Sequence, residues 1–313
     1  MKRIITLILA LLLVVSLEAC GKDADSEIKK PADVSVNGTS ATEENDESGP
    51  VEGQEDETEP TPPPKQEVTI EETVLVDEKG IKITAKKLAL DDWFGPEIKL
   101  LIENNSGKDL TFQCRDSSIN GYMIETMMSV DVVDGKKAND SLTFSSSNLE
   151  SCGIEEIADM EFAFYAFATE GWDDYFYSPL IQIKTSIADT YEYTFADDGD
   201  VAYDDGGVKI VIKGLAEDES VFGPSIVVYI ENNSDKDITV QTRDVSINGF
   251  MVDAMFSSDV LVGKHAVDTI TFMEFDLEEN EITEIENVEL SFHVFDYEDW
   301  GTIVDTDVVE ISF

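Results

Sequence analysis

The chain has 313 residues, of which 68 are Asp or Glu and only 21 are Lys or Arg, for a formal net charge of −47 and a pI near 4.1. That surplus repels phosphate backbones and anionic headgroups, so it argues against nucleic acid as a partner and against peripheral docking on lipid. A basic partner, bound cations or simple solubility remain open.

The first element is a targeting segment. Met1-Lys2-Arg3 leads into an apolar run from Ile4 to Leu17, interrupted only by Thr6 and Ser16. A run of that length suits a secretory h-region and falls short of the ~20 apolar residues that a span requires. Leu17-Glu18-Ala19-Cys20-Gly21 follows, and it resembles the lipobox of bacterial lipoproteins. The small Ala19 fits that pattern; Glu18 departs from it, since small or apolar residues are commoner there. The resemblance implies that residues 1–19 are a removed signal peptide and that Cys20 carries the lipid attachment. It places the protein on the extracytoplasmic face of the bacterial cell membrane, held through a lipid anchor. Acyl chains, palmitate among them, at about 0.8 kcal/mol per buried methylene would make the anchor effectively permanent.

Residues 20–66 read as a disordered acidic tether. The stretch "ATEENDESGPVEGQEDETEPTPPPK" has no aromatic residue and cannot bury enough apolar surface to offset its ordering entropy. A flexible chain of this length reaches roughly 40 Å, and self-repulsion with Pro62-Pro63-Pro64 lengthens it.

Strand-like runs begin after Gln66. "GIKITAKKLAL", "EIKLLIEN", "DLTFQC", "YMIETM" and "MEFAFYAF" are short and rich in Ile, Leu, Thr, Phe and Tyr, with turn signals between them. That spacing predicts an all-β sandwich. "NLESCGIEEIADM" fits a short helix as well as a loop. The sentence "IENNSGKDLTFQCRDSSINGYM" returns as "IENNSDKDITVQTRDVSINGFM", and from Phe94 to the C-terminus the match holds a constant offset of 128. Gly80-Ile81-Lys82-Ile83 matches Gly207-Val208-Lys209-Ile210 at an offset of 127. The chain is a tandem duplication: repeat 1 over 67–187, a connector over 188–206 and repeat 2 over 207–313. With "GKKANDSLTF" and "MEFAFYAF", the repeated sentence resembles the immunoglobulin-like repeats of uncharacterised bacterial lipoproteins and membrane-anchored surface proteins. The resemblance covers nearly all of both repeats. It implies two tandem immunoglobulin-like β-sandwich domains outside the membrane and supplies no catalytic residues.

Most of the repeated sentence is turn chemistry and core. Asn120-Gly121 is a strong hairpin signal, because both turn residues need positive φ. The functional alternative makes Arg115, Asp116, Arg243 and Asp244 a repeated binding edge. Trp93, Trp172 and Trp300 fall in loops beside carboxylates, where they either cap the sandwiches, partly buried, or bind carbohydrate. Cys114 and Cys152 lie together in repeat 1, while Thr242 and Asn280 stand at the matching places. That pattern makes them a candidate disulfide, and an oxidising compartment would permit it.

Acidic "ADDGDVAYDDGG" over 196–207 lacks the third ligand, the central Gly and the closing Glu of a calcium loop, and reads as a solvated hinge. No metal and no cofactor is expected. His293 is predicted to face outward from a strand and His265 to lie in a loop, in no metal spacing. No phosphate loop, nucleophile elbow or HExxH occurs. The expected role is non-enzymatic: binding, adhesion or envelope assembly, with an unknown envelope protein or carbohydrate as partner. A carbohydrate-active hydrolase working near Trp172 or Trp300, and a cation-binding spacer, are the alternatives.

Overall fold

The computed structural model describes residues 68–91, 94–216 and 221–313. The targeting segment, Cys20, the tether and Trp93 lie outside them. The described chain is predominantly strand, in several sheets, none of them closed.

Repeat 1 contributes β1 (Thr73–Glu78), β2 (Ile81–Asp91), β3 (Gly95–Asn104), β4 (Leu110–Ile119), β5 (Tyr122–Met123), β6 (Thr126–Met127), β7 (Ser129–Val132) and β8 (Lys136–Phe144). A single-turn helix α1 (Ser146–Ser151) precedes β9 (Asp159–Ala168), β10 (Asp174–Tyr177) and β11 (Ile181–Lys184). One sheet runs β1-β2-β3-β8-β6; β4 and β9 form the heart of the other, flanked by β5, β7, β10 and β11. Alternation decides the faces. In β3, Ile98, Leu100 and Ile102 point inward while Glu97, Lys99 and Glu103 point out. In β9, Phe162 and Phe164 are wholly buried against them, leaving Tyr165 and Phe167 on the outer face.

Repeat 2 follows the same order with β12 (Asp200–Asp205), β13 (Val208–Leu215), β14 (Ser225–Asn232), β15 (Ile238–Ile247), β16 (Phe250–Met251), β17 (Ala254–Met255), β18 (Ser257–Val260) and β19 (Lys264–Phe272). Then come α2 (Glu274–Glu279), β20 (Asn287–Asp296), β21 (Thr302–Asp305) and β22 (Val309–Ser312). The ambiguous stretch is thus a short helix in both repeats. Ser145 caps α1 by accepting a bond from Asn148 N at 3.3 Å, and Leu149 or Leu277 plugs the core end.

The repeated asparagines are structural. Asn104 is fully buried and donates Nδ2 to the carbonyls of Lys108 (2.7 Å) and Val132 (2.6 Å), while accepting from Ser106 N; Asn232 repeats all three bonds. Asn120 and Asn248 take φ of 50° and 51° ahead of Gly121 and Gly249, as the tight hairpin demands. Their side chains also pin the loop before β9 and β20, through Glu156 O and Glu284 O.

Two expectations change, for the connector and for His265. The acidic connector is not all hinge: residues 200–205 form β12 against β13, because Ala202 and Tyr203 pack on the core while their neighbours face water. The two repeats also share an apolar junction. The β14 face opposite its own core carries Tyr229, which with Val211 belongs to the apolar cluster of repeat 1, and Val267 packs beside them. Tyr122 pairs in parallel with His265, whose N–H donates to Gly121 O at 2.9 Å, and Lys264 meets Glu161 at 2.8 Å. His265 is therefore no loop histidine. It is 8% exposed, with Phe195 stacked on it at 3.6 Å between ring centroids.

Candidate functional site

A five-residue loop joins β9 to β10, and Ala168 N donates to Asp173 O across it at 2.9 Å. Within it Trp172 has φ +59°, a conformation that bulky side chains rarely take, held by its N–H to Ala168 O at 3.2 Å. The indole lies on Phe167, with centroids 5.3 Å apart and planes 16° off parallel. Phe167 is 5% exposed, whereas Trp172 is 75% exposed. One face of the indole is thus supported and the other meets solvent.

Repeat 2 rebuilds the same ledge. Trp300 has φ +63°, bonds Asp296 O at 3.0 Å, stacks on Phe295 at 5.7 Å and 19°, and is also 75% exposed. Both tryptophans therefore depart from the expected half-buried cap. Immobilising a large ring without covering it has no packing benefit on the open side.

The ledge extends along the outer sheet. In repeat 1, Tyr165 lies 5.5 Å from Phe167 and 5.9 Å from Tyr177, with the Arg115 guanidinium 5.6 Å over Tyr165. Tyr165 donates to Asp174, and Tyr177 donates to Asp116. Burial first and then the Asp116 carboxylate push the Tyr177 phenol upward, so it stays a donor. In repeat 2 the strip runs Trp300, Phe295 and His293 at 5.1 Å, and His293 Nδ1 meets Asp305 at 2.6 Å while Arg243 bonds the same carboxylate at 3.2 Å. His293 does sit on the outer face, but only 8% exposed beneath its neighbours.

Arg115-Asp116 and Arg243-Asp244 owe their repetition first to backbone. Each pair marks a bulge against the neighbouring strand, with Asp116 and Asp244 at φ 53°. The structure brings Arg115, Asp116 and Trp172 onto one outer sheet, bridged by Phe167, Tyr165 and Tyr177. It does the same for Arg243 and Trp300 through Phe295, His293 and Asp305. Those bridging residues were missed in the sequence reading; their signal is the Tyr165-x-Phe167 and His293-x-Phe295 alternation five residues before each tryptophan.

Arg115 and Asp116 also border a cleft of about 440 Å³ between the repeats, with Cys114, Asp259, Asp268 and Tyr297. Burial pushes the Cys114 thiol up to about 12, so it stays protonated and is no nucleophile at neutral pH. Burial raises the Asp268 carboxyl as well. Cys114 and Cys152, the candidate pair, stand as free cysteines. Cys114 lies on β4 at the cleft, whereas Cys152 caps α1, buried and likewise pushed up to about 12. Among the described residues no group of three or more His, Cys, Asp or Glu side chains is placed to hold a metal ion, and no helix is long and apolar enough to cross a membrane.

No family model matches the sequence, and no curated protein matches it. Among solved structures, a YadV chaperone crystallised at 1.63 Å aligns at 9% identity over 69% of this chain and 92% of its own, with a TM-score of 0.22. At that score the likeness carries no argument.

Proposed function

We propose that the chain is a lipid-anchored protein of the bacterial cell envelope that displays two immunoglobulin-like sandwiches and binds neutral polysaccharide without transforming it. The observation that carries this reading is the duplicated ledge: Trp172 on Phe167 and Trp300 on Phe295, each with one ring face open. Supported, solvent-facing aromatic planes suit the apolar C–H face of a sugar ring, and the flanking Asp174, Asp116 and Asp305 carboxylates accept bonds from hydroxyls. The charge of −47 disfavours anionic polymers, which points to uncharged glycans. The Leu17-to-Gly21 lipobox supports the anchor, and the tether supports display away from the lipid.

Co-sedimentation of the full chain with insoluble neutral polysaccharides, such as cellulose, chitin or β-glucan, tests the reading. The expected result is binding that falls at least about tenfold in the Trp172→Gly/Trp300→Gly double variant. Undiminished binding by that variant, or none by the wild type across the panel, overturns it.

A further inference from the structure

The two repeats carry one groove in two states. In repeat 1 it lies between the β2–β3 end and the segment after α1, lined by Leu88, Pro96, Leu149, Ile154 and the chain's own Val68. The segment is held in place: Ser186 N donates to Thr69 O at 2.9 Å, Thr69 N donates to Ser186 Oγ at 3.1 Å, and Ile70 packs on the core. The space left there is about 120 Å³.

In repeat 2 the counterparts Leu215, Pro224, Leu277 and Ile282 line a groove of about 560 Å³. Among the described residues, the counterpart of Val68 does not line it. At the offset of 127 that relates β1 to β12, Val68 corresponds to Phe195 and Thr69 to Ala196. Those residues are drawn to the junction, where Phe195 stacks on His265 and Ala196 N donates to the Tyr122 hydroxyl at 3.0 Å. The uncovered state is visible in a matched pair. Ile157 is buried and its counterpart Ile285 is half-buried. The rim is acidic, carrying Glu274, Glu278, Glu284 and Glu286.

We propose that this open groove binds an extended peptide strand from a partner protein, with β-branched residues at alternate positions and lysine or arginine beside them. The apolar part of the occupant follows Val68, the residue of the leading segment that borders the same groove in repeat 1. The basic flanks are specified by the four glutamates, which repel an acidic strand and attract a cationic one. Seating the side chains of an extended peptide in pockets at alternate positions is a recurrent peptide-binding mode. The site is separate from the tryptophan ledges and shares no residue with them.

The test is fluorescence anisotropy of the full chain with the labelled probe Lys-Lys-Gln-Val-Thr-Ile-Gln-Lys. Saturable binding is expected, weakening as salt rises and falling at least about tenfold in Glu278→Lys/Glu284→Lys, whose substitutions sit on exposed positions. The exposed Phe313→Asp change is expected to weaken it as well, while Trp172→Gly/Trp300→Gly leaves it unchanged, so failure of the glycan reading would show separately. No saturable binding by the wild type, equal binding of a probe with glutamates in place of the lysines, or full affinity in the rim variant overturns the proposal.

Discussion

The Tyr229 hydroxyl and His265 Nδ1 lie 2.7 Å apart beneath the stacked ring of Phe195, at the seam where the repeats meet. Burial holds the His265 pKa below its ordinary 6.5; Glu231 and Asp197 oppose that, and Lys264 adds to it. The unfolded chain therefore takes up this proton at higher pH than the folded one. The stabilisation is full above pH 6.5 and is lost as pH falls through the lowered folded value. Between pH 7.5 and 5 the melting temperature of the wild type should fall relative to that of His265→Phe. Parallel curves for the two proteins would show that the histidine does not titrate with unfolding.

Removing the Asn104 side chain leaves the carbonyls of Lys108 and Val132 without their donor in a site closed to water. Asn104→Ala should cost about 2–4 kcal/mol in urea denaturation, and Asn232→Ala a similar amount. A loss below about 1 kcal/mol at either position would contradict the role given to these side chains.

Both thiols of repeat 1 are held protonated by burial, with pKa values pushed up to about 12. Maleimide labelling of the native chain at pH 8 should be slow at Cys114 and Cys152 and rapid once the chain is denatured. A mass two hydrogens lower under non-reducing conditions would show a bond between them instead.

The left-handed backbone at Trp172 and Trp300 suits glycine better than any bulky residue. Each Trp→Gly change should shift stability by less than about 1 kcal/mol, because the indole is exposed and the backbone strain is relieved. Glycan binding should nevertheless be lost. Unfolding of the double variant at room temperature would assign the tryptophans to packing.

Cys20→Ser should abolish incorporation of labelled palmitate and shift the protein from the detergent phase to the aqueous phase on phase separation. Unchanged labelling would remove the lipid anchor from the proposal.

Much of the architecture is legible in the residue pattern. Inward Ile98, Leu100 and Ile102 alternating with charged neighbours, and the Asn-Gly hairpins, define strands and turns by local rules. The ledges are less legible, because Trp172 beside acidic residues reads alike whether covered or bare; only the stacking on Phe167 and the positive φ separate the cases. The connector misleads through charge. Its aspartates hide the Ala202-Tyr203 pair, which is enough to recruit β12 to the sheet. The junction was readable in principle from broken symmetry: Tyr229, Val267 and His265 stand where repeat 1 has Leu101, Asn139 and Lys137. A repeated solvent face that turns aromatic and apolar in one copy has gained a neighbour.

That seam changes what the duplication has become. Tyr122 is 2% exposed where its counterpart Phe250 is 48% exposed, so the contact is used once and in one direction only. Severing the chain near residue 190 would strip cover from Val211 and Tyr229 on one fragment and from Tyr122 on the other. Neither piece would be closed on its own: each half of the sequence completes a surface that the other leaves open, so the pair is a head and a tail and not two interchangeable units.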